Sequence, residues 1–178
     1  MGTRRDPLCG GRLTRLLVLG AALALASPAL ARDSLGMFGA WGAFRDAAVP
    51  RCYAIAMSSA PGSQKARDYQ PYATVGYWPQ KRTRNQVHFR LSRRLAPQSA
   101  VRLTVGRQSF TLAGGGGDAW AADKRGDAGI VAAMRSATSM RISARAANGT
   151  TFSDRYPLAG SASAIDAAAI GCAKTPRG

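Results

Sequence analysis

From residue 53 onward, apolar and polar side chains alternate in short stretches separated by Pro, Gly and polar clusters, a period of two that predicts strands. Val87, Phe89 and Leu91 alternate with His88 and Arg90, and Val101, Leu103 and Val105 alternate with Arg102 and Thr104. Each run offers one face to a core and one to solvent, and these two strands are expected to be antiparallel neighbours. Gly106-Arg107 begins a turn toward Phe110 and Leu112. Upstream, residues 53–57 and 73–78 read as strands joined by a polar loop containing Pro61, Gly62 and Ser63. Downstream, Met140, Ile142 and Ala144 alternate with Arg141, Ser143 and Arg145. Asn148-Gly149 then supplies a two-residue hairpin turn, and the returning strand covers 150–156.

Two short helices interrupt this pattern. The first is expected to follow Asp127 as N-cap, with Ile130, Val131 and Met134 on one apolar stripe. The second follows Ser161 or Ser163, buries Ile165 and Ile170, and stops at Gly171. The glycines at 114–117 read as an irregular surface loop. The pattern therefore predicts a mainly β, antiparallel single domain with two short helices, covering residues 32–178.

Residues 1–31 have a different pattern. Arg4, Arg5, Arg12 and Arg15 precede or flank an apolar run at 16–26 too short to span a bilayer, and Ala29-Leu30-Ala31 has small residues at both ends. This is the layout of a cleaved signal peptide, with the mature chain beginning at Arg32 in the periplasm or outside the cell. Cleavage removes Cys9 and leaves Cys52 and Cys172 in an oxidising compartment, where one disulfide is expected, with the Gly171 stop aiming the last helix at the N-terminal strands. No later apolar run reaches membrane-spanning length, so no transmembrane segment is expected after cleavage.

Residues 1–31 hold four of the 25 cations and one of the nine acids, so residues 32–178 carry a formal +13. Every acid is Asp, and Arg outnumbers Lys 21 to 4. With the abundant Ala and Gly, that bias reflects GC-rich bacterial coding and discounts part of the arginine excess. The remainder predicts attraction to anionic surfaces such as lipopolysaccharide, phospholipid headgroups or nucleic acid; an anionic envelope or host-surface component is the expected partner, and nucleic acid is not. Lys81, Arg82, Arg84, Arg90, Arg93 and Arg94 fall within fourteen residues that contain no acid, just after Tyr77 and Trp78. They form the candidate anion-binding site, with a merely solvated, solubilising face as the alternative.

Catalytic chemistry lacks its parts. The run 114–118 has no Lys-Ser or Lys-Thr to complete a phosphate loop. His88 is the single histidine and reads as a bystander on the solvent face of its strand. Asp118, Asp123 and Asp127 fall in a loop and at a helix start, where capping accounts for them. No catalytic residue, metal or cofactor is expected. The chain reads as a binding protein, with a structural envelope protein lacking a specific ligand, or an exported hydrolase with an unrecognised site, as alternatives.

The chain also resembles the invasion-associated locus B family of small exported bacterial proteins. The resemblance is carried by Phe38-Gly39-Ala40-Trp41-Gly42, by Arg51-Cys52-Tyr53-Ala54-Ile55-Ala56, and by Asp127-Ala128-Gly129-Ile130-Val131-Ala132-Ala133-Met134. It continues through Met140-Arg141-Ile142 to Tyr156-Pro157-Leu158-Ala159-Gly160 and Ile165-Asp166-Ala167. It implies a β-sandwich-like exported domain with no known enzymatic step. The cysteines depart from that pattern: Ala43, Phe44 and Arg45 follow Trp41-Gly42, and no Cys lies between Cys52 and Cys172.

Overall fold

The computed structural model describes residues 1–2, 32–46, 48–59 and 67–173. The expected signal peptide and the Pro61-Gly62-Ser63 loop lie outside the described residues, and every element falls in the unit Ala31–Gly178. Ten strands form one antiparallel sheet: β1 (Asp33–Phe38), β2 (Trp41–Asp46), β3 (Arg51–Met57), β4 (Tyr72–Trp78), β5 (Thr83–Arg90), β6 (Val101–Val105), β7 (Gln108–Gly115), β8 (Asp118–Ala121), β9 (Ser139–Arg145) and β10 (Thr151–Pro157). Their spatial order is β1-β2-β3-β4-β5-β8-β7-β6-β9-β10. Helix α1 (Lys124–Met134) precedes β9 and helix α2 (Ser161–Ala173) follows β10.

The sheet folds over on itself because its alternating faces share one core. Val75 and Val87 pair across β4 and β5 with no more than 1% exposure, while Leu103 and Ile142 pair across β6 and β9 fully buried. The two halves meet where the Phe89 ring of β5 lies 5.9 Å from the Tyr156 ring of β10. Trp41 Nε1 of β2 donates to Pro157 O at 2.8 Å, and Ser59 N, just past β3, donates to Arg155 O of β10 at 2.8 Å. The mainly β, sandwich-like architecture with two helices is thus present, and Cys52 of β3 is bridged to Cys172 of α2 with Cα atoms 5.6 Å apart.

Several local expectations are corrected. Strands β5 and β6 are not neighbours, since β8 and β7 stand between them. The glycine run is no loop: β7 continues to Gly115, which pairs with Asp118, so only Gly116 and Gly117 make the turn, with Gly116 at φ +61°. The β9–β10 hairpin exists, but its turn is longer than two residues. Gly149 N donates to Ala146 O and Ala146 N to Thr150 O, with Gly149 at φ +83°, so a turn centred on Ala147-Asn148 is followed by a left-handed glycine.

Both helices also differ from expectation at their ends. Asp123, not Asp127, caps α1, its carboxylate accepting from Gly126 N at 2.7 Å. Asp127 lies in the first turn and is buried. Gly171 does not stop α2, which runs on to Ala173; a Cβ at Gly171 would strike Leu35 of β1, so this glycine permits close packing of helix on strand. Ile165 is fully buried as expected, but Ile170 is exposed.

Candidate anion-binding site

The site is organised by β5, whose Val87 and Phe89 point into the core and whose intervening side chains point outward. Beyond its end, backbone bonds fix the next five residues. Leu91 N donates to Gly117 O at 2.8 Å and Leu95 N to Gly116 O at 2.6 Å. Between them, Ser92 N donates to the buried Asp154 carboxylate at 2.9 Å, and Ser92 O accepts from the amides of Asp68 and Tyr69. Arg94 N donates to Asp68 Oδ2 at 2.8 Å, and Arg94 O accepts from Ala147 N. Arg93 and Arg94 are thus pinned between the 67–70 segment and the β9–β10 hairpin.

Asp68, Tyr69, Arg93, Arg94, Ala147 and Asn148 line a cleft of about 400 Å3. Arg93 reaches Asp68 only at 4.0 Å, and among the described residues the exposed Arg94 guanidinium has no ion-pair partner. Asn148 Oδ1 accepts from Thr150 N and from Thr150 Oγ1, which leaves the Asn148 amide hydrogens free to donate. Two guanidinium groups and an amide donor against one acid make the cleft cationic, a donor set suited to an oxyanion. The Tyr69 ring forms one wall and packs against Gly117, where any Cβ would collide with it.

The six expected cations do not converge. Arg90, Arg93 and Arg94 lie at or beyond the end of β5, whereas Lys81, Arg82 and Arg84 lie at its beginning, Lys81 closing a 3-10 turn at Pro79–Lys81. Eight strand residues separate the groups by roughly 25 Å, about three Debye lengths at physiological salt. Arg90 is also committed: its guanidinium bonds Asp118 at 2.5 Å and lies 3.7 Å from the Tyr69 ring centroid. Lys81, Arg82 and Arg84 are exposed.

His88 does face outward, yet it is not a bystander. Its Nε2 is 2.9 Å from Asp118 Oδ1, and its ring sits between Trp120 at 5.2 Å and Tyr72 at 5.8 Å. Asp118, the first residue of β8, therefore holds His88 and Arg90 of the neighbouring strand together. Among the described residues, no group of three or more His, Cys, Asp or Glu side chains is placed to hold a metal ion, and no helix is long and apolar enough to cross a membrane.

Two buried carboxyls near β5 give the fold a pH dependence. Burial pushes the Asp154 carboxyl up, against bonds from Ser92 and the charge of Arg67. Burial likewise raises Asp127, which accepts from Val87 N at 2.8 Å. The folded state therefore binds these protons more tightly than the unfolded chain, so the associated stability is greatest in acid and declines as pH rises from about 4 through the raised values. Asp166 has the opposite sign, its carboxyl lowered by Arg135, but that pair is exposed and acts only below the ordinary carboxylate range. Urea midpoints measured from pH 4 to 7 should fall for the wild type and flatten for the double variant D127N/D154N. An unchanged slope in the variant would assign the dependence to other groups.

Comparison with protein-family models, curated proteins and solved structures gives no match to this chain.

Proposed function

We propose that this chain is a non-enzymatic, exported bacterial protein, a divergent relative of the invasion-associated locus B family, that binds an anionic envelope or host-surface component. The observation that carries the reading is the cationic cleft: Arg93 and Arg94 sit on a rigid backbone scaffold, beside an aromatic wall and an amide with free donors. The signal-like residues 1–31, the Cys52–Cys172 bridge and the +13 charge of residues 32–178 support export to an oxidising compartment with anionic surfaces.

The test compares the two ends of β5. Protein recovered from the periplasm is expected to begin at Arg32 and to bind immobilised heparin with a steep salt dependence. R93E/R94E should lower the eluting salt concentration markedly, and K81E/R82E/R84E less, because only the first pair lines the cleft. Equal effects from both variants would mean diffuse attraction to a solvated face. Retention unmoved by either would favour a structural envelope protein without a specific ligand.

A further inference from the structure

Among the described residues, five large apolar side chains besides Met1 are exposed, and three of them share one surface: Met37 at 67%, Met57 at 46% and Trp120 at 39%. That surface is the outer face of β1–β5 and β8. Strand register makes the sharing explicit. Met37 pairs with Gly42, Gly42 with Ile55, Ile55 with Thr74, Thr74 with His88, and His88 with Trp120. This single row crosses six strands, or roughly 24 Å. Met57 pairs with Tyr72 in the adjacent row, and the Trp78 ring lies over Gly76 on the same face.

The other face of these strands is core. Cys52, Ala54 and Ala56 point inward, and α2 is bonded there through the disulfide. Neither α1, anchored through Asp127 to Val87, nor α2 covers the outer row.

The charge distribution names the occupant. β5 runs through this face, with Lys81, Arg82 and Arg84 at one end and Arg93 and Arg94 at the other. Two cationic groups about 25 Å apart cannot clasp one small anion, but they match a surface that presents anions over its whole area. The side chains between them suit the boundary of such a surface. Methionine is flexible and adapts to fluid neighbours, while Trp and Tyr favour the level of lipid headgroups.

We propose that the outer face of β1–β5 and β8 docks on an anionic lipid bilayer, with Met37, Met57 and Trp120 entering the headgroup region and the cations at both ends of β5 meeting lipid phosphates. This rests on the anion-binding reading above and specifies its partner. Arginine stems lie along apolar surface while their heads reach charge, so both ends of β5 can serve a bilayer together. Each basic group held near an anionic membrane strengthens binding by about fivefold.

The experiment uses the disulfide-bonded chain beginning at Arg32, with vesicles of pure phosphatidylcholine, of phosphatidylcholine with phosphatidylglycerol, and of the latter mixture with brominated acyl chains. Co-sedimentation with anionic vesicles should exceed that with neutral ones by at least tenfold. Tryptophan emission should shift to the blue and be quenched by the brominated lipid. W78F/W120F should lose most of that quenching, since the tryptophan that remains, Trp41, is fully buried. M37D/M57D, altering two exposed side chains, should weaken vesicle binding at least tenfold with heparin elution unchanged.

Binding to anionic vesicles without quenching and without an effect of M37D/M57D would overturn the docking face while leaving the anion-binding reading intact. Failure to bind both heparin and vesicles would overturn both. A concentration-dependent blue shift without lipid would show that a second copy of the chain covers the face, and would also overturn the proposal. The quenching measurement needs no variant, so misfolding of M37D/M57D would not rescue it.

Discussion

Replacing Cys52 and Cys172 together with alanine is expected to lower the unfolding free energy by about 4–5 kcal/mol and the thermal midpoint by roughly 10–20 °C. The bridge spans a sequence separation of 120 residues, and closing so long a loop removes much of the freedom of the unfolded chain. It also holds α2, whose packing otherwise depends on small side chains such as Ala164 and Ala168 around Ile165. Arg135 and Asp166 add only an exposed ion pair between the helices, with little stabilising effect. Against a typical total of about 5–15 kcal/mol, the bridge is a major contribution. Urea unfolding of the bridged and C52A/C172A proteins at the same pH would measure it; midpoints within 1 M of each other, at equal slopes, would refute the estimate.

Periodicity reveals which face of a strand is buried but not which strand lies beside it. Residues 101–105 and 139–145 were legible because alternation persists over several turns of the pleat, as the buried Leu103 and Ile142 show. The placement of β8 beside β5 was not legible, because only three residue pairs join them and nothing in either segment specifies the other. Strands β1 and β2 are not legible in the sequence, because Gly36, Gly39 and Gly42 break the alternation. In β2 the consecutive residues Trp41, Gly42 and Ala43 are all buried, Gly42 beneath the side chains of Met37 and Phe44. Local capping logic misplaced the start of α1, since Asp123 and Asp127 both suit an N-terminus and only tertiary contact with Val87 separates their roles.

The candidate site was half legible for a similar reason. Along a strand, neighbours in sequence separate by about 3.3 Å each, so a charge cluster that would be compact on a helix is drawn out along β5. Arg93 and Arg94 were identified from sequence, but the partners that make their cleft come from distant segments: Tyr69 from before β4 and Asn148 from the last hairpin. The Asp118 link to His88 and Arg90 depended on the unforeseen β5–β8 pairing. A glycine followed by an acid at the start of a strand, as in Gly117-Asp118, was the available signal: the glycine accommodates the Tyr69 ring, and the acid answers the basic strand opposite.

Trp41 is the residue whose loss should most weaken closure of the sheet. It is fully buried at the β1–β2 turn, and its indole N–H donates to Pro157 O at the end of β10, joining strands from opposite halves. The corner has little room to adjust, because Gly160, at φ +86°, lies so close to Phe38 O that any Cβ there would collide with it. W41A should therefore leave an unfilled cavity and cost about 3–5 kcal/mol. W41F keeps much of the apolar contact and removes the donor, leaving a carbonyl without its bond at a cost of about 1–3 kcal/mol. The ordering W41A worse than W41F worse than wild type, read from urea unfolding at matched slopes, separates packing from hydrogen bonding. A W41A protein within 1 kcal/mol of wild type would mean that β2 and β10 are held together by other contacts and that neither the packing nor the hydrogen bond of the tryptophan is needed for closure.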